Sequence, residues 1–176
     1  MMDNEVLNTI LSRTSVRRFL AEKPVPADNV KALLRAGMSA PSGVNKQPWE
    51  FIVVDDAALL QRLADALPYA KMAAQAPMAI VLCGNSDRFL DGVDSTLWVQ
   101  DLSAVSENIL LAAHALGLGG VWTCLYPHAD RMKAVGDILN ISAGVVPFNL
   151  IPIGYPAHEH APIDKWRPSC IHHNRY

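Results

Sequence analysis

The sequence predicts an α+β sandwich, with helices packed on a modest sheet, and three observations carry that expectation. Helical and strand-like segments alternate unevenly, two helices precede the first strand, and neither an internal repeat nor a low-complexity linker interrupts the chain. At 176 residues the length suits one domain over 1–176 with a sizeable core.

The elements follow from periodicity. Val6, Leu7, Ile10 and Leu11 share one face of a short first helix. Val30, Leu33, Leu34, Gly37 and Met38 repeat at i, i+3, i+4, i+7, i+8 after the start Pro26-Ala27-Asp28, and Ala40-Pro41-Ser42-Gly43 stops that second helix. Phe51-Ile52-Val53-Val54 reads as a buried strand and residues 56–66 return to helix. Met78 to Leu82 is a second strand, ended by Gly84-Asn85-Ser86. The longest helix spans about Thr96 to Leu116, with Trp98, Leu102, Val105, Ile109, Ala112 and Leu116 in alternating steps of four and three. That spacing suits a helix lying along another helix, and equally a central core helix within one chain. A strand over 120–123, a helix over 128–139 and a strand over Phe148 to Ile153 complete the order. Pro152 in the last strand argues for an edge, a bulge or the strand's end. The tail 156–176 is polar, proline-punctuated and irregular.

Composition removes several classes of function. The chain is 51% hydrophobic and 18% charged, with a formal net charge of -2, which is no footprint for nucleic acid. No apolar run reaches the roughly 20 residues that cross a bilayer. The start Met1-Met2-Asp3-Asn4-Glu5 is not a signal peptide, and Cys83, Cys124 and Cys170 are too few and too scattered for a disulfide scaffold, so a cytoplasmic protein is expected. His158, His160, His172 and His173 lack the further ligand that would close a metal site, so no metal is expected. No G-x-S-x-G elbow is present, and hydrolysis has no support.

Four stretches could carry chemistry. Arg13-Thr14-Ser15-Val16-Arg17-Arg18-Phe19 gathers three guanidinium groups and two hydroxyls, enough to grip an anion, although alone such a stretch is more often a solvated turn. Pro41-Ser42-Gly43-Val44-Asn45-Lys46-Gln47-Pro48-Trp49 offers close backbone approach at Gly43 and hydrogen-bonding groups at Ser42, Asn45 and Gln47. These suit the edge of a flat heteroaromatic, with an ordinary helix-to-strand connection as the even alternative. Gly117-Leu118-Gly119-Gly120-Val121-Trp122-Thr123-Cys124 follows a helix and precedes a strand, the reverse of a dinucleotide-binding turn, and lacks the GxGxxG spacing. A resident dinucleotide site is rejected. Lys165-Trp166-Arg167 places two cations at i and i+2, on one side of an extended chain.

In this order the stretches resemble the nitroreductase family of FMN enzymes. The resemblance rests on Arg13-Thr14-Ser15-Val16-Arg17, the loop Pro41 to Phe51, Asn108-Ile109-Leu110-Leu111-Ala112-Ala113 leading into Gly117-Leu118-Gly119, Trp122, Gly154-Tyr155-Pro156, and Lys165-x-Arg167. It covers nearly the whole chain, and the combination is specific. It implies an α/β sandwich with a mixed sheet flanked by helices, in a homodimer whose long central helix pairs across the subunits and whose FMN lies at the interface. It implies that Arg13, Thr14, Ser15, Arg17, Lys165 and Arg167 hold the phosphate, ribityl chain and pyrimidine edge, the tail thereby contributing to the site. Pro41, Ser42, Gly43 and Asn45 would come from the second chain, the backbone of Thr123, Cys124 and Leu125 would face the reacting edge, and Gln47 and Trp122 complete the implied cofactor-binding set. Longer members carry an acidic residue and a glycine where this chain has Cys124 and Leu125.

The implied reaction passes hydride equivalents from NADH or NADPH, a transient donor, to a nitroaromatic, quinone or similar small aromatic acceptor by a ping-pong mechanism. The chemistry resides on FMN, so no catalytic side chain is required, and Arg17 is the candidate stabiliser of the reduced flavin. Competing readings are a protein that sequesters or senses FMN without turnover, a specialised flavin dehalogenase or dehydrogenase, and a metal or thiol enzyme using the C-terminal histidines.

Overall fold

Asn4 starts the first helix because its side-chain oxygen accepts the Leu7 N–H at 3.0 Å, satisfying one of the donors a helix end leaves open. Helix α1 then spans Glu5–Ser12. A computed structural model describes residues 4–176, so the acidic start Met1-Met2-Asp3 lies outside the described residues.

Four longer helices and five strands follow. Helix α2 (Ala27–Met38) precedes β1 (Trp49–Val54), α3 (Ala57–Ala66) and β2 (Met78–Asn85). Helix α4 (Trp98–Ala115) leads to the short strands β3 (Gly119–Gly120) and β4 (Thr123–Cys124). Helix α5 (Ala129–Leu139) and β5 (Val145–Gly154) close the order. Asp56 caps α3 by accepting the Leu59 N–H at 2.8 Å. Gly117, at φ +71°, ends α4 where a side chain would be strained.

The sheet runs β1-β2-β5-β3, with β4 also pairing β5, and each of its four ladders is antiparallel. The expected mixed sheet is corrected in this respect. Helix α3 and the return over 67–77 leave and re-enter at the same end of the sheet, where Val54 faces Ala79, so β2 comes back antiparallel to β1. The strand expected over 120–123 is two short pieces on either side of Val121-Trp122.

Strand β2 is buried on both faces, and its alternation sorts the core into two layers. Met78, Ile80 and Leu82 pack with Leu33, Leu102, Val105 and Ile109 of α2 and α4. Ala79, Val81 and Cys83 pack with Leu60, Leu63 and Val135 of α3 and α5. Two expectations change here. Strand β5 is central, not an edge, and its register shift skips Phe148, between the pairs Leu82–Asn149 and Cys83–Pro147, rather than Pro152. Pro152 is tolerated because its second ladder position falls in the gap between Gly120 and Thr123, where no strand asks for an N–H.

The α4 stripe divides. Trp98, Leu102, Val105 and Ile109 are buried inside their own chain against β2, β5 and α2, so these four positions belong to the core, while Ala112 and Leu116 are only partly buried. An apolar face remains open on α1, where Val6 is 68%, Ile10 47% and Leu11 62% exposed.

Candidate functional site

Residues 13–17 form neither helix nor strand and are pinned at Arg13 and Val16. The Arg13 N–H closes α1 on Thr9 O at 3.0 Å, and the Val16 N–H donates to Gly120 O at 3.1 Å. Beyond it, the Leu20 N–H reaches Tyr155 O at 2.9 Å, and Phe19 bridges Pro156. A Cβ on Gly119 would overlap Val16, so the absence of a side chain there lets the segment lie against the sheet.

Three clefts open along this segment. The first, about 580 Å³, holds Arg13, Glu107, Asp164, Lys165 and Trp166. The second, about 380 Å³, holds Thr14, His114 and the turn His158-Glu159-His160. The third, about 650 Å³, is lined by Arg17 with Trp122, Thr123 and Cys124, and by Tyr69, Lys71, His128 and Arg131. The fixed backbone thus deals Arg13, Thr14 and Arg17 into three neighbouring spaces. At the extended limit of about 3.3–3.6 Å per residue, the two arginine Cα atoms lie no more than roughly 14 Å apart.

In the first cleft the Arg13 Nε meets Glu107 Oε1 at 3.3 Å. Asp164 is engaged locally, its Oδ1 accepting the Trp166 N–H at 2.8 Å. Next to Arg13, Ser12 Oγ lies 2.7 Å from His114 Nε2, a second tie between the end of α1 and helix α4. In the third cleft, Trp122 stands edge-on to Phe148 at 5.5 Å and Thr123 Oγ1 donates to Leu150 O at 2.6 Å, which fixes the wall on β5. Arg131 Nη1 donates to Cys124 O at 3.2 Å and its guanidinium sits 5.3 Å from the Tyr69 ring. Lys71 Nζ donates to Ala64 O at 2.9 Å. Both cations are held by carbonyls, so the cleft keeps their positive charge.

The loop 41–47 is built at the other end of α4. The Gly43 N–H donates to Asp101 Oδ1 at 2.9 Å, Ser42 Oγ accepts the Gln47 N–H at 3.0 Å, and Gln47 Nε2 donates to Asn45 Oδ1 at 3.1 Å. Val44, Asn45 and Gln47 all have positive φ, at 50°, 57° and 49°. Such conformations cost of order 1–3 kcal/mol each and persist where surrounding structure enforces them, commonly at binding sites. Pro41 is exposed at the loop's start.

Not every expected residue joins the clefts. Ser15 is half-buried between its neighbours. Leu125 is fully buried in the α3/α5 layer and its N–H is spent on Phe148 O at 3.1 Å, so this residue serves the sheet. Arg167 is exposed just before the turn Pro168–Cys170 and lines none of the three clefts. Lys71, His128, Arg131 and Glu107 escaped the sequence reading. Glu107 sits one residue before the Asn108 motif, and Arg131 falls on the first turn of α5, seven residues past Cys124, which are the signals that could have found them.

The thiols differ in surroundings. Burial pushes Cys83 up to about 12, with the Glu50 charge adding and a backbone hydrogen bond at Phe148 opposing. Cys124 and Cys170 are exposed. Among the described residues no three His, Cys, Asp or Glu side chains gather as a metal-binding group, and no helix is long and apolar enough to cross a membrane.

Comparison with known proteins gives a consistent picture. The family model described as "Nitroreductase family" matches residues 10–68 and 64–155. A protein of Methanothermobacter thermautotrophicus, described as a candidate NADH dehydrogenase/NAD(P)H nitroreductase, is 41% identical over 168 residues, 96% of this chain and 86% of the relative. The crystal structure of a protein of the same description from Bacteroides thetaiotaomicron superposes with a TM-score of 0.93 at 46% identity, covering 99% of this chain and 100% of the other. A structure from Desulfovibrio desulfuricans, described as a candidate nitroreductase in complex with FMN, superposes with a TM-score of 0.83 at 27% identity, covering 99% of both chains.

Proposed function

Because this chain belongs to the nitroreductase family, we propose that it is an FMN-dependent oxidoreductase that draws hydride equivalents from NAD(P)H and passes them to a small aromatic or quinone-like acceptor by a ping-pong mechanism. One observation carries the reading. The pinned segment 13–17 presents Arg13 to a cleft shared with Lys165 and Arg17 to a cleft walled by Trp122, Thr123 and Cys124.

The donor set fits the cofactor. A phosphate asks for paired cations and a flat ring system asks for an open, partly aromatic wall, with hydroxyls between them for the sugar-alcohol chain. Arg13 and Lys165 supply the first, Trp122 to Cys124 the second, and Thr14, in the second cleft, a hydroxyl. When bound, FMN supplies reversible hydride acceptance.

The residues of the chain then bind and orient. Arg13 and Lys165 anchor the phosphate end. Arg17 brings positive charge to the pyrimidine edge, and Lys71 lines the same cleft, where charge-assisted donors favour the electron-rich state. Trp122 is held by Phe148 and Thr123 by Leu150, so the wall does not have to reorganise. A substrate needs to lie flat at hydride distance, which orientation alone supplies.

The unit is 1–176, acting as a homodimer in the cytoplasm. The open face of α1, continued by Leu111, Ala112 and Ala115 of α4 around a shallow groove of about 390 Å³, is the surface for the second copy. That copy supplies Ser42, Gly43, Asn45 and Gln47 from its own loop. The test is a visible spectrum of the purified protein, chromatography of the extracted chromophore, and anaerobic addition of NADH or NADPH. A yellow protein that releases FMN, bleaches with the nicotinamide and recovers with a quinone supports the proposal. FAD, no flavin after incubation with FMN, or bleaching without recovery overturns it.

A further inference from the structure

We propose that Glu107 is a positioning residue that sets the Arg13 guanidinium for phosphate, a role that rests on the FMN reading above. A carboxylate lining the cleft meant for an anion looks misplaced, since like charges repel. The geometry resolves the conflict. Glu107 Oε1 meets Arg13 at Nε, 3.3 Å away, and Nε carries only one of the five N–H groups of the guanidinium. The other four belong to the two Nη atoms, which form the fork that matches phosphate oxygens in pairs. An ion-pair partner on the Nε edge therefore biases where the guanidinium sits while leaving the fork free.

Two features make this an orienting contact rather than a chance surface pair. Arg13 is only 17% exposed at its side chain, and its backbone is pinned as the residue that ends α1. Its neighbour Ser12 is tied to His114, seven residues beyond Glu107 on α4 and so on the same side of that helix, about 10.5 Å further along at 1.5 Å per residue. Consecutive residues at the end of α1 thus reach two points of one helix face, and the main chain between them has little freedom to turn. Glu107, half exposed at 50%, remains close enough to solvent that its own charge is screened from the bound anion. Asp164, the other carboxylate of the cleft, is already held by the Trp166 N–H.

The test titrates apoprotein with FMN and, separately, with riboflavin, which has the same ring and sugar-alcohol chain without the phosphate. Flavin fluorescence reads both, and thermal unfolding of the apoprotein checks that each variant folds. Glu107→Ala should weaken FMN about two- to fivefold, the range of a half-exposed ion pair, and leave riboflavin unchanged. Glu107→Gln also breaks the ion pair but keeps a polar oxygen beside Nε and removes the repulsion, so its FMN affinity should fall between those of Glu107→Ala and the parent chain. Tighter FMN binding by Glu107→Ala would make Glu107 a plain repulsive charge and overturn the role. Equal loss for FMN and riboflavin, or unchanged FMN affinity, would overturn it as well. If the parent chain binds neither flavin, the cofactor reading itself falls, a result visible before any variant is compared.

Discussion

The Gly43 N–H donates to Asp101 Oδ1 across 2.9 Å, joining the strained loop after α2 to the first turn of α4. Asp101 is buried and lies in the first turn of α4, where negative charge is favourable. Asp101→Ala leaves the Gly43 N–H without its partner and should cost about 1–3 kcal/mol in chemical denaturation. Asp101→Asn retains the acceptor and should cost less than half as much. Equal effects would mean that the contact does not hold the loop.

Gly119 and Val16 occupy adjoining space that admits one side chain. A Cβ at Gly119 would lie 2.6 Å from Val16 Cβ and closer still to its Cγ2. Gly119→Ala should destabilise by about 1–3 kcal/mol. It should also weaken flavin binding, because Val16 lies between Ser15 and Arg17. The double variant with Val16→Ala should regain part of both losses. Additive effects on unfolding and flavin titration would show that the two residues are independent.

Ile10 and Leu102 should fail in different ways. Ile10 is exposed on the open α1 face, and Leu102 is fully buried in the core layer that α2 and α4 form with the sheet. Ile10→Lys should leave the chain folded while sedimentation shows monomer with reduced flavin content. Leu102→Ala should lower stability by about 2–5 kcal/mol without selectively splitting the dimer. A flavin-loaded dimer in Ile10→Lys would place the interface elsewhere.

Arg17 and Lys165 should separate in a spectroelectrochemical titration at saturating FMN. A lost charge-assisted hydrogen bond costs roughly 1.5–3 kcal/mol. At Arg17 that loss should fall on the reduced state, so Arg17→Ala should lower the two-electron midpoint by roughly 30–60 mV. Lys165→Ala should weaken FMN tenfold to a hundredfold with little change in potential. The opposite assignment of effects would reverse the orientation of the cofactor along residues 13–17.

Cys83 gives a pH prediction with a definite sign. Burial raises its folded value to about 12, so the neutral thiol is the form the fold prefers. This contribution is intact below the ordinary thiol value and is lost as pH rises from there toward 12, at up to about 1.4 kcal/mol per unit. Native protein at pH 8 should leave Cys83 unalkylated, and mass spectrometry should find it modified only after denaturation. Modification in the native state would contradict its burial.

Local pattern made much of the fold legible. Helix α2 and strand β2 carry their periods openly, and the loop from Pro41 to Trp49 announced itself by composition. Patterns with two physical solutions were not decidable. The spacing of Trp98, Leu102, Val105 and Ile109 serves a seam between chains as well as a core within one, and only the strands beneath it decide. Pro152 reads as an edge residue because the sequence does not disclose that β3 and β4 break at its position. In the site, Arg13, Arg17 and Lys165 stood out as charges within recognisable motifs. Lys71 and Arg131 did not, because they are distant in sequence and meet only through the closure of the fold around Cys124.

The two-ended anchoring of residues 13–17 turns that segment into a ruler. Because Thr9 O and Gly120 O fix its ends, the number of residues between the arginines matters as much as their identity. One inserted residue would add up to about 3.3–3.6 Å of chain and displace every side chain that follows it. A chain with an identical inventory of charges could thereby lose its cofactor. The exposed turn at 91–95 sits under no such constraint. Length variation among descendants of this sequence should collect there, while the interval from Arg13 to Arg17 stays fixed to the residue.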